Sequence, residues 1–205
     1  MYKLYGRPGS GSLAVQIALE EIDVPYERLW VGSDAEDVAS FRAINPTGRV
    51  PALMLPDGTF MFESAAILVH LVLSHPKAAL APPPGTNRHA AFLQWMVFLS
   101  ANVYEDVLRV YYPARYSTRG DVDAEPIRDQ GTADLKTHLA LISQSLGPYV
   151  LGGSYSIADP YLYMLASWYP GDKNELFRSY PKLGAHAEIV AARPATAKVV
   201  ADHSQ

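Results

Sequence analysis

Asn45-Pro46-Thr47-Gly48-Arg49-Val50-Pro51-Ala52-Leu53, followed by Asp57-Gly58 and then Phe62-Glu63-Ser64, is the stretch on which the fold of this chain turns. Val50-Pro51 stands between a polar loop and an apolar run, and proline, lacking an N–H, is tolerated in a sheet only at a strand's start or edge. A strand from Ala52 to Leu55 is therefore expected. Pro56-Asp57-Gly58-Thr59 turns the chain back into a second strand, Thr59 to Phe62, so the two form a hairpin. Glu63-Ser64 then opens an apolar helix from Ala65 to Leu73, where a serine oxygen and the first free amides make a place suited to a carboxylate.

Outward from that stretch, the N-terminal third alternates strand-like and helix-like runs: Tyr2 to Tyr5, Leu13 to Ile22 and Tyr26 to Trp30 form a βαβ unit, and Ala35 to Ile44 forms a short helix. Ala81-Pro82-Pro83-Pro84-Gly85 is the sharpest compositional break, because consecutive prolines donate no main-chain hydrogen bonds. Beyond it, helical periodicity runs over about Asn87 to Tyr112, Ala124 to Leu146, Ser156 to Trp168 and Pro181 to Ala192. The expected division is residues 1–76 as an α/β domain, 77–86 as linker and 87–205 as an all-helical domain.

The 205 residues are 49% hydrophobic, enough for packed cores and against intrinsic disorder. Seventeen Lys and Arg against twenty-one Asp and Glu leave a net charge of -4, which argues against nucleic acid or an anionic membrane as partner. No cysteine is present, so disulfides, cysteine-ligated metals and a cysteine nucleophile are excluded, and any thiol chemistry must use a thiol from elsewhere. The six histidines, at 70, 75, 89, 138, 186 and 203, have no metal-ligand spacing, so no metal is expected. The longest apolar run, Ala65 to Leu73, is far below the roughly 20 residues of a membrane span. Without a secretory leader pattern at the start, a cytoplasmic location is expected.

The Asn45–Leu53, Asp57-Gly58 and Phe62–Ser64 motifs together closely resemble the glutathione-binding half of cytosolic glutathione transferases. Ser156-Ile157-Ala158-Asp159 resembles that family's helix-capping motif, and Tyr5-Gly6-Arg7-Pro8-Gly9-Ser10-Gly11-Ser12 resembles its catalytic loop, so the likeness spans essentially the whole chain. It implies a thioredoxin-like N-terminal domain, an all-α helical-bundle C-terminal domain, a homodimer, and glutathione as cosubstrate. It also implies a cis Val50–Pro51 bond, which would leave the N–H and C=O of Val50 to pair with the cysteinyl part of the tripeptide as an added strand would. Glu63 would attract the γ-glutamyl ammonium, Ser64 with its helix terminus would receive the carboxylate, and Arg49 would approach the glycyl carboxylate.

The loop after Tyr5 brings amides and hydroxyls to a helix N-terminus, where a thiolate is stabilised. Ser10 is the first choice of thiol-activating donor. Ser12 is expected to cap the helix, and Tyr5 is a weaker alternative. The loop lacks the cysteine of beta-class enzymes, and that class's polar helix residues fall at Val97 and Tyr104, so hydroxyl and amide donors carry the expected mechanism. Tyr104, Leu108, Tyr111 and Tyr112 recur along one helical face, with Trp168 as an addition, and form the expected surface for a flat hydrophobic electrophile, although core packing is the commoner use of such a stripe. Ser156 and Asp159 are expected to form a reciprocal helix cap. The function so implied is conjugation of glutathione to hydrophobic electrophiles in detoxification. A glutathione-binding scaffold with little catalysis, or another glutathione-dependent enzyme (an isomerase, a dehalogenase or an ether-cleaving lyase), shares the same residues.

Overall fold

β1 (Tyr2–Gly6) alternates buried and half-buried residues, the period-two pattern of a strand with one face in a core. In the computed structural model, which describes residues 1–204, it is the second strand of a four-stranded sheet. It runs parallel to β2 (Tyr26–Trp30), with Gly6 opposite Trp30, and antiparallel to β3 (Ala52–Met54), with Tyr5 opposite Ala52. β4 (Phe60–Phe62) completes the order β2-β1-β3-β4, with Phe62 opposite Ala52. The β3–β4 turn is closed by Gly58 N–H on Leu55 C=O at 2.9 Å, and the φ of 90° at Gly58 explains why glycine follows the aspartate there.

Residues opposed across antiparallel strands share a face, so Leu4 and Leu53 lie together and are fully buried. α1 (Ser12–Ile22) and α3 (Ser64–Ser74) pack on one another, with Ile17, Ala18, Ile67, Leu68 and Leu71 inaccessible to solvent, and supply the cover that face requires. α2 (Ala35–Phe41), capped by Asp34 Oδ1 accepting from Asp37 N–H at 2.8 Å, serves the opposite face, where the Phe41 ring lies 5.9 Å from that of Tyr5.

The chain divides into two compact units, Met1–Ala81 together with the chain from Ala192 onward, and Pro82–Ala191. In the second, α4 (Asn87–Phe98) is capped by Thr86, whose hydroxyl oxygen accepts from His89 N–H at 3.1 Å. Periodicity predicts one helix from Asn87 to Tyr112. The helical path is indeed continuous, but a π turn at Leu99–Val103 separates α4 from α5 (Tyr104–Tyr111), and the wider turn changes which face each half presents. α6 (Ala124–Ser145) approaches α5 at Gly131, where a Cβ would lie 2.8 Å from Arg109 Cβ and 3.2 Å from the Asp106 carbonyl. α7 (Ala158–Ser167), α8 (Lys173–Ser179) and α9 (Pro181–Ala191) complete the unit around Leu135, Leu139, Leu162, Leu165 and Val190. Sequence periodicity does not reveal α8, because it has seven residues and buries only Leu176.

The expected Ser156–Asp159 cap is half as drawn. The Asp159 carboxylate accepts from Ser156 N–H at 2.7 Å, but the serine hydroxyl turns to that same carboxylate at 3.2 Å and does not reach the third-residue amide. Asp159 N–H bonds the Ser156 carbonyl instead, at 3.1 Å. The reason is a buried network centred on Asp159: its other oxygen accepts from Val150 N–H at 2.7 Å and lies 3.0 Å from His186 Nε2.

α10 (Pro194–His203) differs from the expectation that residues 87–205 form one helical domain, because it packs on α1. Arg193 makes a bidentate pair with Glu21 at 2.6 and 2.7 Å, Lys198 reaches Glu20 at 2.8 Å, Asp202 pairs with Arg28 at 2.7 Å, and Val199 is fully buried. Burial, with the charge of Arg28, pushes the His203 imidazole from 6.5 down to about 4. Between those values the unfolded chain holds a proton that the folded chain excludes, so His203 makes stability fall as pH drops from about 6.5 towards 4. Thermal melts across that window are expected to show the decline, and His203→Gln is expected to flatten it.

Candidate functional site: one end of the sheet

The strand register brings three chain segments to one end of the sheet. β1 ends at Gly6 and leads into Arg7–Gly11. β3, running the other way, begins at Ala52 opposite Tyr5, so Val50 and Pro51 arrive beside that exit. β4 runs back again and ends at Phe62 opposite Ala52, so Glu63 and Ser64 leave there too.

The Arg7–Ser12 loop is fastened by hydroxyls. Ser10 Oγ donates to the Arg7 carbonyl at 2.7 Å, Ser12 Oγ stands 3.1 Å from the same carbonyl, and the two hydroxyl oxygens are 2.9 Å apart. Arg7 N–H donates to Ser12 Oγ at 3.2 Å and Ser12 N–H to Ser10 Oγ at 3.3 Å. Two hydroxyls carry two protons, so two of these three oxygen contacts are donated at any moment and one is left over. Ser10 is half-buried and Ser12 is fully buried. The expectation that Ser12 caps α1 is corrected: Gly11 holds the cap position, and Ser12 is the first helical residue, its hydroxyl turned back to Arg7. Gly9, at φ 65°, gives the turn its left-handed residue.

Arg7 ties this loop to the end of β2. Its Nε donates to the Val31 carbonyl at 3.1 Å and its Nη2 bonds the Gly32 carbonyl. Tyr5 belongs elsewhere: its ring packs beside Phe41 and Phe60, at 5.9 and 6.1 Å, on the α2 face of the sheet.

The Val50–Pro51 bond is cis. Among the described residues, no partner takes the N–H or the C=O of Val50, so the main chain just before β3 is free to pair with an added extended segment. Asn45, buried, supports this corner: its amide donates to the Arg49 carbonyl at 2.5 Å and its oxygen accepts from Thr47 N–H at 3.1 Å. The exposed Arg49 guanidinium makes no hydrogen bond or ion pair among the described residues. Glu63 adopts φ 70° and ψ 107°, a conformation that side-chain-bearing residues seldom hold without being forced into it. Its side chain is exposed, its carbonyl accepts the first α3 bond from Ile67 N–H at 2.9 Å, and Ser64 behind it is buried at the helix N-terminus.

In the helical unit, the Tyr104 ring meets Trp168 edge-on at 5.7 Å, and Tyr111 Oη donates to the Trp168 carbonyl at 3.0 Å, so these three predicted residues form one aromatic cluster. Leu108 is half-buried on the same helix. Tyr112 stands apart, half exposed beneath the Arg115 guanidinium at 3.9 Å.

The family model described as "Glutathione S-transferase, N-terminal domain" matches residues 11–72. The chain is 30% identical to the uncharacterized GST-like protein YncG of Escherichia coli K12 over 98% of its own length and 97% of that protein's. It belongs to the glutathione transferase family. A second relative, glutathione S-transferase GstA of Escherichia coli O157:H7, is 27% identical over 94% of each chain. A glutathione transferase homolog from Sulfitobacter, crystallised with bound glutathione, superposes with a TM-score of 0.88 at 30% identity over 98% of both chains.

In this glutathione transferase family member, no helix among the described residues is long and apolar enough to cross a membrane, and no group of His, Asp and Glu side chains among them is placed to hold a metal ion. Sequence reasoning gave Trp30 no part in the site and named Gly6 and Arg7 only within the loop motif, without a role of their own. The only signal for Gly6 is its position at a strand end before a serine-rich turn, and the roles of the other two depend on contacts 24 or more residues away.

Proposed function

We propose that this chain is a glutathione transferase that binds glutathione at the end of its sheet and directs the thiolate at hydrophobic electrophiles. The observation that carries this reading is the convergence of Arg7–Ser12, Arg49–Pro51 and Glu63–Ser64, set by the strand register. Val50's unpartnered main chain takes the cysteinyl residue of the tripeptide next to Pro51. Glu63 attracts the γ-glutamyl ammonium, Ser64 and the α3 amides receive its carboxylate, and Arg49 meets the glycyl carboxylate. Ser10, with the positive end of the α1 dipole, stabilises the sulfur anion, which attacks the electrophilic carbon as the leaving group departs with its electron pair. Tyr104, Leu108, Tyr111 and Trp168 offer the apolar aromatic surface for the electrophile, and Tyr112, expected with them, is left out because it stacks under Arg115. The bound glutathione of the Sulfitobacter homolog supports the cosubstrate. On this reading the protein is a cytoplasmic homodimer acting in detoxification.

A second reading, a glutathione-binding scaffold with little catalysis, is favoured by one observation: the Ser10 proton is already donated to the Arg7 carbonyl. Titration calorimetry with glutathione, together with the ultraviolet thiolate band of the bound peptide, separates the two. The enzyme reading expects binding heat, a thiolate band near neutral pH and turnover of a halogenated aromatic. Heat without the band supports the scaffold, and no heat at all sinks both. Glu63→Ala is expected to weaken glutathione binding by about tenfold or more, since hydrogen bonds to charged groups contribute roughly 1.5–3 kcal/mol.

A further inference from the structure

The last helix is joined to the serine loop by a chain of contacts inside one compact unit. Asp202 and His203, at the end of α10, are both tied to Gln16, which is buried on α1. Gln16 Nε2 donates to Asp202 Oδ2 at 2.9 Å, and its oxygen lies 3.0 Å from His203 Nε2. Because the amide nitrogen is committed to the carboxylate, the amide oxygen must accept, so His203 carries its proton on Nε2. Asp202 also holds Arg28, and the Arg28 guanidinium stands over the Trp30 ring at 4.5 Å. His203 meets the same ring edge-on, with centroids 5.0 Å apart and an interplanar angle of 88°. The indole is therefore gripped by one cation and one imidazole, both anchored through α10.

The indole also lies close to the root of the serine loop. Gly6 stands opposite Trp30 in the sheet, and Val31 N–H bonds the Gly6 carbonyl at 2.8 Å. A Cβ on Gly6 would lie 3.2 Å from Trp30 Cζ3 and 2.5 Å from Ser12 Oγ. Gly6 is thus a thin spacer between the indole and the Ser12 hydroxyl, and Ser12 Oγ is 2.9 Å from Ser10 Oγ.

We propose that α10 is a positioning element for thiol activation: it holds Trp30 against Gly6, and that contact holds Ser12 where its hydroxyl orients Ser10. This rests on the proposed function, in which Ser10 faces the bound sulfur. Trp30 and His203 touch no substrate and act through the two serines. Displacing the indole lets Gly6 and Ser12 drift, and the Ser10 proton then spends more time on the Arg7 carbonyl and less on the sulfur.

The test is the pH titration of the ultraviolet thiolate band with glutathione bound, compared with the affinity for S-methylglutathione, which occupies the cradle without an ionisable thiol. In His203→Leu the bound thiol should titrate at least about half a unit higher, roughly a threefold smaller thiolate-to-thiol ratio at neutral pH, with S-methylglutathione affinity within about twofold of the parent. His203→Gln, which retains a donor towards Gln16, should undo most of the shift and titrate near the parent. Arg193→Ala removes the Glu21 pair at the far end of α10, and should lower the melting temperature while leaving the thiol titration as in the parent. Should His203→Leu not fold, Trp30→Phe carries the same readout with the same expected direction. A parental titration in His203→Leu, or a shift in Arg193→Ala as large as in His203→Leu, overturns the inference. If parental glutathione binds without ionising more readily than free glutathione, the proposed function itself fails, and this inference with it.

Discussion

Ser10→Ala is expected to lower kcat/KM for conjugation by about a hundredfold, the usual consequence of removing one preorganised donor from a developing or stabilised anion. The titration of the bound thiol should move upward, with glutathione affinity little changed, because the groups that hold the peptide's charged ends are untouched. Ser12→Ala should have a smaller effect of the same sign. With both hydroxyls present, Ser12 satisfies the Arg7 carbonyl at 3.1 Å whenever Ser10 turns its proton to the sulfur. Without Ser12, every such turn leaves that carbonyl with no hydroxyl donor. Tyr5→Phe should behave as the parent, since the Tyr5 ring packs with Phe41 and Phe60 on the α2 face. Steady-state kinetics with a halogenated aromatic, run beside the thiolate titration, check all three variants. Loss of activity in Tyr5→Phe with none in Ser10→Ala would reverse the donor assignment.

The second large effect concerns stability. Asp159 is fully buried and accepts from Val150 N–H, Ser156 N–H and Ser156 Oγ, with His186 Nε2 at 3.0 Å. Asp159→Ala leaves two main-chain donors and an imidazole nitrogen buried together without their acceptor. Each such orphan costs about 1–3 kcal/mol, so the loss should be several kcal/mol. The urea midpoint should fall accordingly with an unchanged slope. A loss below about 1 kcal/mol would mean that water enters and replaces the carboxylate.

Much of the fold was legible because its signals are local. Proline at the start of β3, Asp57-Gly58 in the hairpin turn, and the apolar run after Ser64 each fix backbone conformation within a few residues. The long helices were legible for the same reason, since an apolar stripe repeats every turn. The π turn at Leu99–Val103 was not, because it preserves helical composition while changing the hydrogen-bond step. α8 was too short to show a period, and nothing in the sequence of α10 distinguishes a helix packed on α1 from one packed in the helical unit. The family was legible by likeness, but the hydroxyl arrangement of the Arg7–Ser12 loop was not. Ser10 and Ser12 are both plausible caps in a string of glycine and serine, and only the folded loop turns both towards the Arg7 carbonyl.

By itself, then, the sequence determined a cysteine-free chain with a sheet whose turns converge at one end, because strand ends and helix starts are written in neighbouring residues. Tertiary structure alone decided which hydroxyl is half-buried and which is enclosed, that Glu63 is held at φ 70°, and that residues from 193 to 203 grip Trp30 and α1. Those outcomes depend on contacts between residues up to 187 positions apart, and no local preference encodes them.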